Sequence, residues 1–190
     1  MDAQWLSERL NEEKLVVLDV RSGIDNGGDR SSFQKSHIPG SVYSNYTNNG
    51  WRETRAGVAG LIPPVRSLER LIGSLGIANS SIVVLIPAGT GPTDFGSAAR
   101  VYWTFKVLGH ESVTILNGGL AGWKVAGYEV AEGAPAPWTI SVAKPSLRPL
   151  RPPAPFPDQR TCPTIRSLNS KTRCFIWTRM PLAIRSTTLN

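Results

Sequence analysis

The apolar positions of this chain fall into two rhythms. Short unbroken runs, "KLVVLDV" (14–20), "SIVVLI" (81–86) and "SVTIL" (112–116), alternate with stretches of helical period. Runs of that length are too short for helices and suit strands covered on both faces. Residues 3–12 place Trp5, Leu6, Arg9 and Leu10 at helical spacing, with Asp2 as N-cap. Leu68, Leu71, Ile72 and Leu75 repeat at i, i+3, i+4 and i+7 behind a candidate cap at Ser67, and Gly76 can close that helix. A further helix is predicted over residues 97–108, stopped by Gly109, and a short one over residues 118–127, ended by Gly127. Residues 22–32, rich in Gly, Asp, Asn and Ser, read as loop. A long polar and aromatic connection then runs through Trp51 to Pro64. Strands and helices that alternate in this way predict an α/β fold, a parallel sheet with helices on both faces.

The rhythm ends near Glu132. "AEGAPAPW" (131–138) has the composition of a linker, and no sustained period follows it. Charge divides at nearly the same place. The net charge of +7 lies entirely in residues 146–190, which hold 8 Lys/Arg against the single Asp158; residues 1–145 hold 13 of each sign. Eight prolines and both cysteines, Cys162 and Cys174, also fall from Pro145 onward. The expected organisation is one domain over 1–140, then a linker and an irregular, disordered, basic Pro/Arg-rich tail over 141–190. Two origins fit the tail: a natural basic extension, or an out-of-frame translation in place of a second domain. The abrupt change in charge and cysteine usage favours the latter.

Composition removes several functions. No apolar run approaches the ~20 residues that span a bilayer. The first residues, "MDAQWLSERLNEEK", lack the basic and apolar regions of a secretory signal, so a cytoplasmic location is expected. Two cysteines make no disulfide framework, and His37 and His110 stand far apart, so no metal-ligand spacing arises. The turn "GTGPTDFG" (89–96) can hold an anion at a helix N-terminus. It lacks the Gly-Lys-Ser/Thr of a P-loop and the glycine spacing of a dinucleotide site, and Pro92 removes a donor. Thr93 or Asp94 is expected to cap the helix there. The basic tail would give only salt-sensitive, sequence-independent affinity for nucleic acid. No specific nucleic-acid or membrane partner is expected.

Four stretches resemble the rhodanese family, and more closely the N-terminal half of tandem-domain thiosulfate and 3-mercaptopyruvate sulfurtransferases. "VVLDVR" (16–21) is similar to the family's strand ending in Asp-x-Arg, and "SHIPGSVY" (36–43) to its His-Ile-Pro-Gly signature. "AARVYWTFKVLGH" (98–110) is similar to the helix after the active-site loop. "VTILNGGLAGWKVAGYEV" (113–130) resembles the family's strand, Gly-Gly turn and Trp-bearing helix. Together they span roughly residues 5–133 in the family's order. Read physically, Asp19 ends a buried strand and is expected to take local N–H groups, and Arg21 to pair with a nearby carboxylate. His37 is expected to orient its loop rather than to act as a base. Gly118 and Gly119 allow a tight turn, and Trp123 packs in the core. Tyr102 and Trp103 are expected in the core or against another domain.

The resemblance implies a Cys at the top of the second long strand, where loop N–H groups and the following helix dipole would make it a thiolate able to carry sulfur. Here that place falls at about Pro87 or Ala88. A hydroxyl cannot hold a persulfide, and these residues have no nucleophile at all. The resemblance also implies that the first of two such domains is the non-catalytic one. In the tail, "CFIWTR" (174–179) puts Cys174 and Arg179 at the ends of a six-residue loop but lacks the glycine its turn requires; Cys162, followed by Pro163, fares no better. No catalytic, cofactor-binding or metal-binding residue is therefore assigned and no cofactor is expected. The expected function is that of a sulfurtransferase-family protein, inactive because its catalytic Cys domain is missing. It would meet a small sulfur-containing substrate only with a second domain supplied, and would self-associate through an exposed interdomain face. The alternative is a non-catalytic rhodanese-like binding or scaffold module.

Overall fold

A computed structural model of the protein describes residues 1–134. Cys162, Cys174 and the other residues expected to form the tail lie outside the described residues.

Four parallel strands form the centre: β1 (Leu15–Asp19), β2 (Val42–Tyr43), β5 (Ile82–Ile86) and β6 (Val113–Ile115). Their order in the sheet is β2-β1-β5-β6. β1 and β5 run in register along their whole length, from Leu15 opposite Ile82 to Asp19 opposite Ile86. Every residue of β1 is buried. The two faces divide its side chains by parity, as the pleat requires. Val16 and Leu18 join Val83, Leu85, Leu68, Val101 and Phe105 on one side of the sheet. Val17 joins Val84, Ile86, Leu6, Leu120 and Trp123 on the other. A strand covered on both faces has no polar position to spare, which explains the unbroken apolar run.

The helices α3 (Val65–Ser74) and α4 (Pro92–Val107) supply the first face, and α1 (Ala3–Ser7) and α5 (Gly119–Val125) the second. Asp2 caps α1 as expected, its Oδ1 accepting from Trp5 N at 2.8 Å. Helix α1 is shorter than its apolar spacing suggests and ends at Ser7. Two other starts differ from the sequence reading. α3 begins at Val65 after Pro64, and Ser67, read as the cap, is already inside, its N–H bonded to Pro64 O at 2.8 Å. α4 begins at Pro92, because a proline in the first turn lacks only an N–H that would have no helical partner.

A helix, α2 (Arg30–Lys35), begins inside the stretch 22–32 read as loop, capped by Asp29 and preceded by a single 3₁₀ turn at Ile24–Asn26. It buries only Phe33, so no periodicity marked it. The connection to Pro64 contains a hairpin, β3 (Glu53–Arg55) and β4 (Val58–Leu61). Ala56 and Gly57 both take positive φ in its turn, the geometry of a two-residue hairpin. Trp51 is fully buried beside Phe105 and donates from Nε1 to Ser44 Oγ at 3.0 Å. No helix among the described residues is long and apolar enough to cross a membrane.

Candidate functional site

Ligand sites in open parallel sheets gather at the carboxyl ends of the strands. At that end, β1 delivers Asp19 and Arg21, and β5 delivers the turn at residues 87–91. Asp19 is 1% exposed, and burial pushes its carboxyl above the usual range while the Arg21 guanidinium pulls it back. Arg21 Nε lies 3.0 and 2.9 Å from the two Asp19 oxygens, and Arg21 N–H donates to Oδ1 at 3.1 Å. Nη2 donates onward to Ser36 O at 2.9 Å, tying β1 to the end of α2. Tyr43 Oη donates to Arg21 O at 3.1 Å. The pair thus carries a framework, and every expected role of Asp19 and Arg21 is met within it. His37 is buried and serves its loop. Its Nδ1 lies 2.9 Å from Phe33 O, and its ring stacks on Phe33 with centroids 4.1 Å apart. Its backbone pairs with Ala131 in both directions.

The turn is held by close approach. Leu120 N and Ala121 N donate to Pro87 O and Ala88 O, each at 2.9 Å. A Cβ on Gly119 would stand 2.3 Å from Pro87 O, and one on Gly89 2.0 Å from Gly118 O. Gly118 and Gly119 also have φ of 73° and 57°, so conformation favours glycine at both positions and close contact requires it at Gly119. Trp123 is buried and donates to Glu129 O at 2.8 Å.

Two carboxylates fill the places where an anion would bind. Asp94, 3% exposed, accepts from Ala88 N at 3.2 Å through Oδ1 and from Gly89 N at 2.8 Å through Oδ2. Asp25 Oδ2 accepts from Thr93 N at 2.8 Å and from Asp94 N at 2.9 Å. Helix α4 is therefore capped from a different segment of the chain. Neither Thr93 nor Asp94 caps it, contrary to the sequence reading; its own N-cap, Gly91, has no side chain to offer. A Cβ on Gly91 would sit 2.6 Å from Asp25 Oδ2. Asp25 and Asn26 hold this position with φ of 49° and 58°, in the left-handed region that Asp and Asn tolerate best. For Asp94 the sequence offered a local signal, an acid in the first turn of a helix that follows a glycine-rich loop, but not the N–H groups it would take. Asp25 carried no such signal, since 68 residues separate it from Thr93.

Above the turn opens a cleft of ≈ 360 Å³ between α2, the Asn26–Gly28 segment and α5. Ala88, Leu120 and Ala121 form its apolar wall, and Lys35, Ser36, Thr90 and Lys124 part of its polar one. Among the described residues no group of His, Cys, Asp and Glu is placed to hold a metal ion. Trp103 does not enter the core as one of its two readings had it: it is 45% exposed on α4, with the Arg100 guanidinium 4.6 Å from its ring centroid.

The doubly covered parallel sheet, the Gly-Gly turn packed on the strand-to-helix loop and the Asp-x-Arg pair define a rhodanese-like domain. Residues 2–126 match the Rhodanese-like domain family, and the chain belongs to that family. It is 31% identical over 132 residues to Thiosulfate/3-mercaptopyruvate sulfurtransferase 2 of Arabidopsis thaliana, a match covering 68% of this chain and 37% of that protein. It is 34% identical over 137 residues to a probable 3-mercaptopyruvate sulfurtransferase of Pseudomonas aeruginosa, covering 70% and 47%. Against the thiosulfate sulfurtransferase of Rattus norvegicus it is 32% identical over 138 residues, covering 68% and 44%. The chain spans less than half the length of these relatives. Among solved structures, SseA from Escherichia coli superposes with a TM-score of 0.59 at 24% identity, over 70% of this chain and 50% of that one, a likeness of fold.

Proposed function

We propose that this chain is a sulfurtransferase-family domain that does not itself transfer sulfur and serves as the non-catalytic half of a two-domain enzyme, the catalytic Cys being supplied by the other domain. One observation carries the reading. The top of β5 presents the methyl group of Ala88, and the N–H groups of Ala88 and Gly89 are bound to the Asp94 carboxylate. Sulfur transfer needs a soft nucleophile held as a thiolate by such donors. A turn without a thiol, whose donors are engaged by an internal anion, supplies neither the nucleophile nor its stabilisation.

The relatives' names support thiosulfate or 3-mercaptopyruvate as the donor that the complete enzyme would use. The purified chain is expected to show no transfer from thiosulfate or 3-mercaptopyruvate to cyanide above the rate in buffer. Turnover that disappears in the C162S/C174S double variant would overturn the reading, because those are the chain's only thiols.

A further inference from the structure

Asn-Gly is the dipeptide in which a main chain most readily attacks its own side chain, because a following residue without Cβ leaves its amide nitrogen unhindered. The chain holds three such pairs, at residues 26–27, 49–50 and 117–118, all among the described residues. Their dipeptide chemistry is the same, and their surroundings differ. Gly27 N–H is committed to Ile24 O at 2.8 Å, and Gly27 is buried, so that a Cβ there would stand 2.7 Å from Ser22 O. Asn117 and Gly118 are exposed, but the peptides around them are clamped. Leu116 N–H donates to Leu85 O at 3.0 Å, Asn117 N–H to Met1 O at 2.8 Å, and Gly122 N–H to Gly118 O at 2.8 Å.

Asn49 and Gly50 have none of these restraints. Both are exposed and neither belongs to a helix or strand. Gly50 N–H donates no hydrogen bond among the described residues, and the space where a Cβ on Gly50 would sit is open. The turn before them is fixed: Asn45 Oδ1 accepts from Thr47 N at 2.8 Å and Asn48 N at 3.0 Å, and Asn49 N–H donates to Asn45 O at 3.0 Å. Those bonds use none of the atoms that would react.

We propose that Asn49 is a self-modifying site. Gly50 N attacks Asn49 Cγ, and the new C–N bond closes a five-membered succinimide. The bond from Cγ to Nδ2 breaks, and ammonia leaves with the proton from Gly50 N. Water then adds to one of the two ring carbonyls. Opening at Cγ gives an aspartate; opening at the main-chain carbonyl gives an isoaspartate, whose main chain runs through Cβ and Cγ. Water is the only co-reactant. The isoaspartate lengthens the main chain by one methylene, two residues before Trp51. Trp51 is fully buried, its ring 5.7 Å from that of Phe105 and its Nε1 donating to Ser44 Oγ at 3.0 Å. A close-packed side chain has no slack to take up that extra length, so the modification loosens the anchor of the long connection.

The full chain, folded in neutral buffer or unfolded in urea, is incubated and then mapped by peptide mass spectrometry. The readout at each Asn is the mass gain of an –NH2 to –OH exchange. In the folded chain Asn49 is expected to convert roughly tenfold or more faster than Asn26 and Asn117, which must wait for local opening. In urea the three rates should converge. Labelling by an isoaspartyl methyltransferase with S-adenosylmethionine should mark the aged folded chain and be lost in Asn49→Ser. Conversion of Asn26 or Asn117 as fast as that of Asn49 in the folded chain, or undiminished labelling of the variant, would overturn the proposal. The deamidated fraction, separated by charge, should unfold at a lower urea midpoint than Asn49→Asp, which carries the same charge without the added methylene. Equal midpoints would overturn the effect on Trp51.

Discussion

Ala88 and Asp94 meet across a single hydrogen bond, and that contact gives the site its character. A carboxylate that accepts from two N–H groups takes the stabilisation that a thiolate would otherwise receive. Installing a thiol is therefore not enough. In the Ala88→Cys variant the new thiol is expected to titrate at or above the ordinary ~8.5, because it stands beside a carboxylate rather than beside free donors. Ala88→Cys combined with Asp94→Ala is expected to titrate lower, with the N–H groups of residues 88 and 89 released to it. The pH dependence of iodoacetamide alkylation measures both. A low value in the single variant would show that Asp94 does not compete for these donors. The residue types at this site were all readable in advance, and so was the absence of a thiol from residues 87–91. The engagement of Asp94 was not, because hydrogen-bond acceptors are chosen by geometry and a first-turn acid serves equally well as a simple cap.

Helix α4 shows how an element depends on contacts outside itself. Its first turn offers Gly91, Pro92 and Thr93, and its free N–H groups go to Asp25. Asp25→Ala removes that acceptor and leaves an Ala at φ 49°. Loss of a cap costs about 1 kcal/mol and positive φ adds to it. Urea unfolding of this variant should show a lowered midpoint with an unchanged m-value.

The other end of α4 responds to pH. His110 follows the helix, its N–H bonded to Phe105 O at 2.9 Å and its ring 5.4 Å from that of Phe105. Burial pushes its imidazole below the usual range, and Nε2 has no partner among the described residues. The unfolded chain then holds more protons than the folded one as pH falls below ~6.5. Stability present above that pH is lost as the folded-state value is approached. His110→Gln should flatten the fall in urea midpoint between neutral and mildly acidic pH; an identical fall in both proteins would place the titration elsewhere.

Over the whole described unit, the sheet buries its two faces and leaves part of α4 uncovered. Phe95 is 54% exposed and Trp103 45%, two turns apart on the same helix. We propose that this stripe belongs to the face that a partner domain covers and that it drives weak self-association when bare. Sedimentation of the full chain should show concentration-dependent association, reduced in the Phe95→Glu/Trp103→Glu variant; a strictly monomeric wild type at high concentration would refute it. A chain ending at residue 140 is expected to unfold at the same midpoint as the full chain, since the period of the sequence ends near Glu132 and both sides of the sheet are already filled before it.

The amino-acid sequence by itself determined the alternation of strands and helices, the two-sided burial of β1 and β5, the Gly-Gly turn and the lack of a thiol after β5. Each is written in neighbouring residues, where apolar period and residue type act directly. It did not disclose α2 or the β3–β4 hairpin, whose buried faces are too small to imprint a period. Only the tertiary structure decided that Asp25 reaches across to α4, that Asp94 closes the turn, and that Lys35 and Lys124 share one cleft. Those depend on the order β2-β1-β5-β6, which brings the segments after β1 and after β5 side by side. Nothing local records which distant segment will meet an N–H group or a charge.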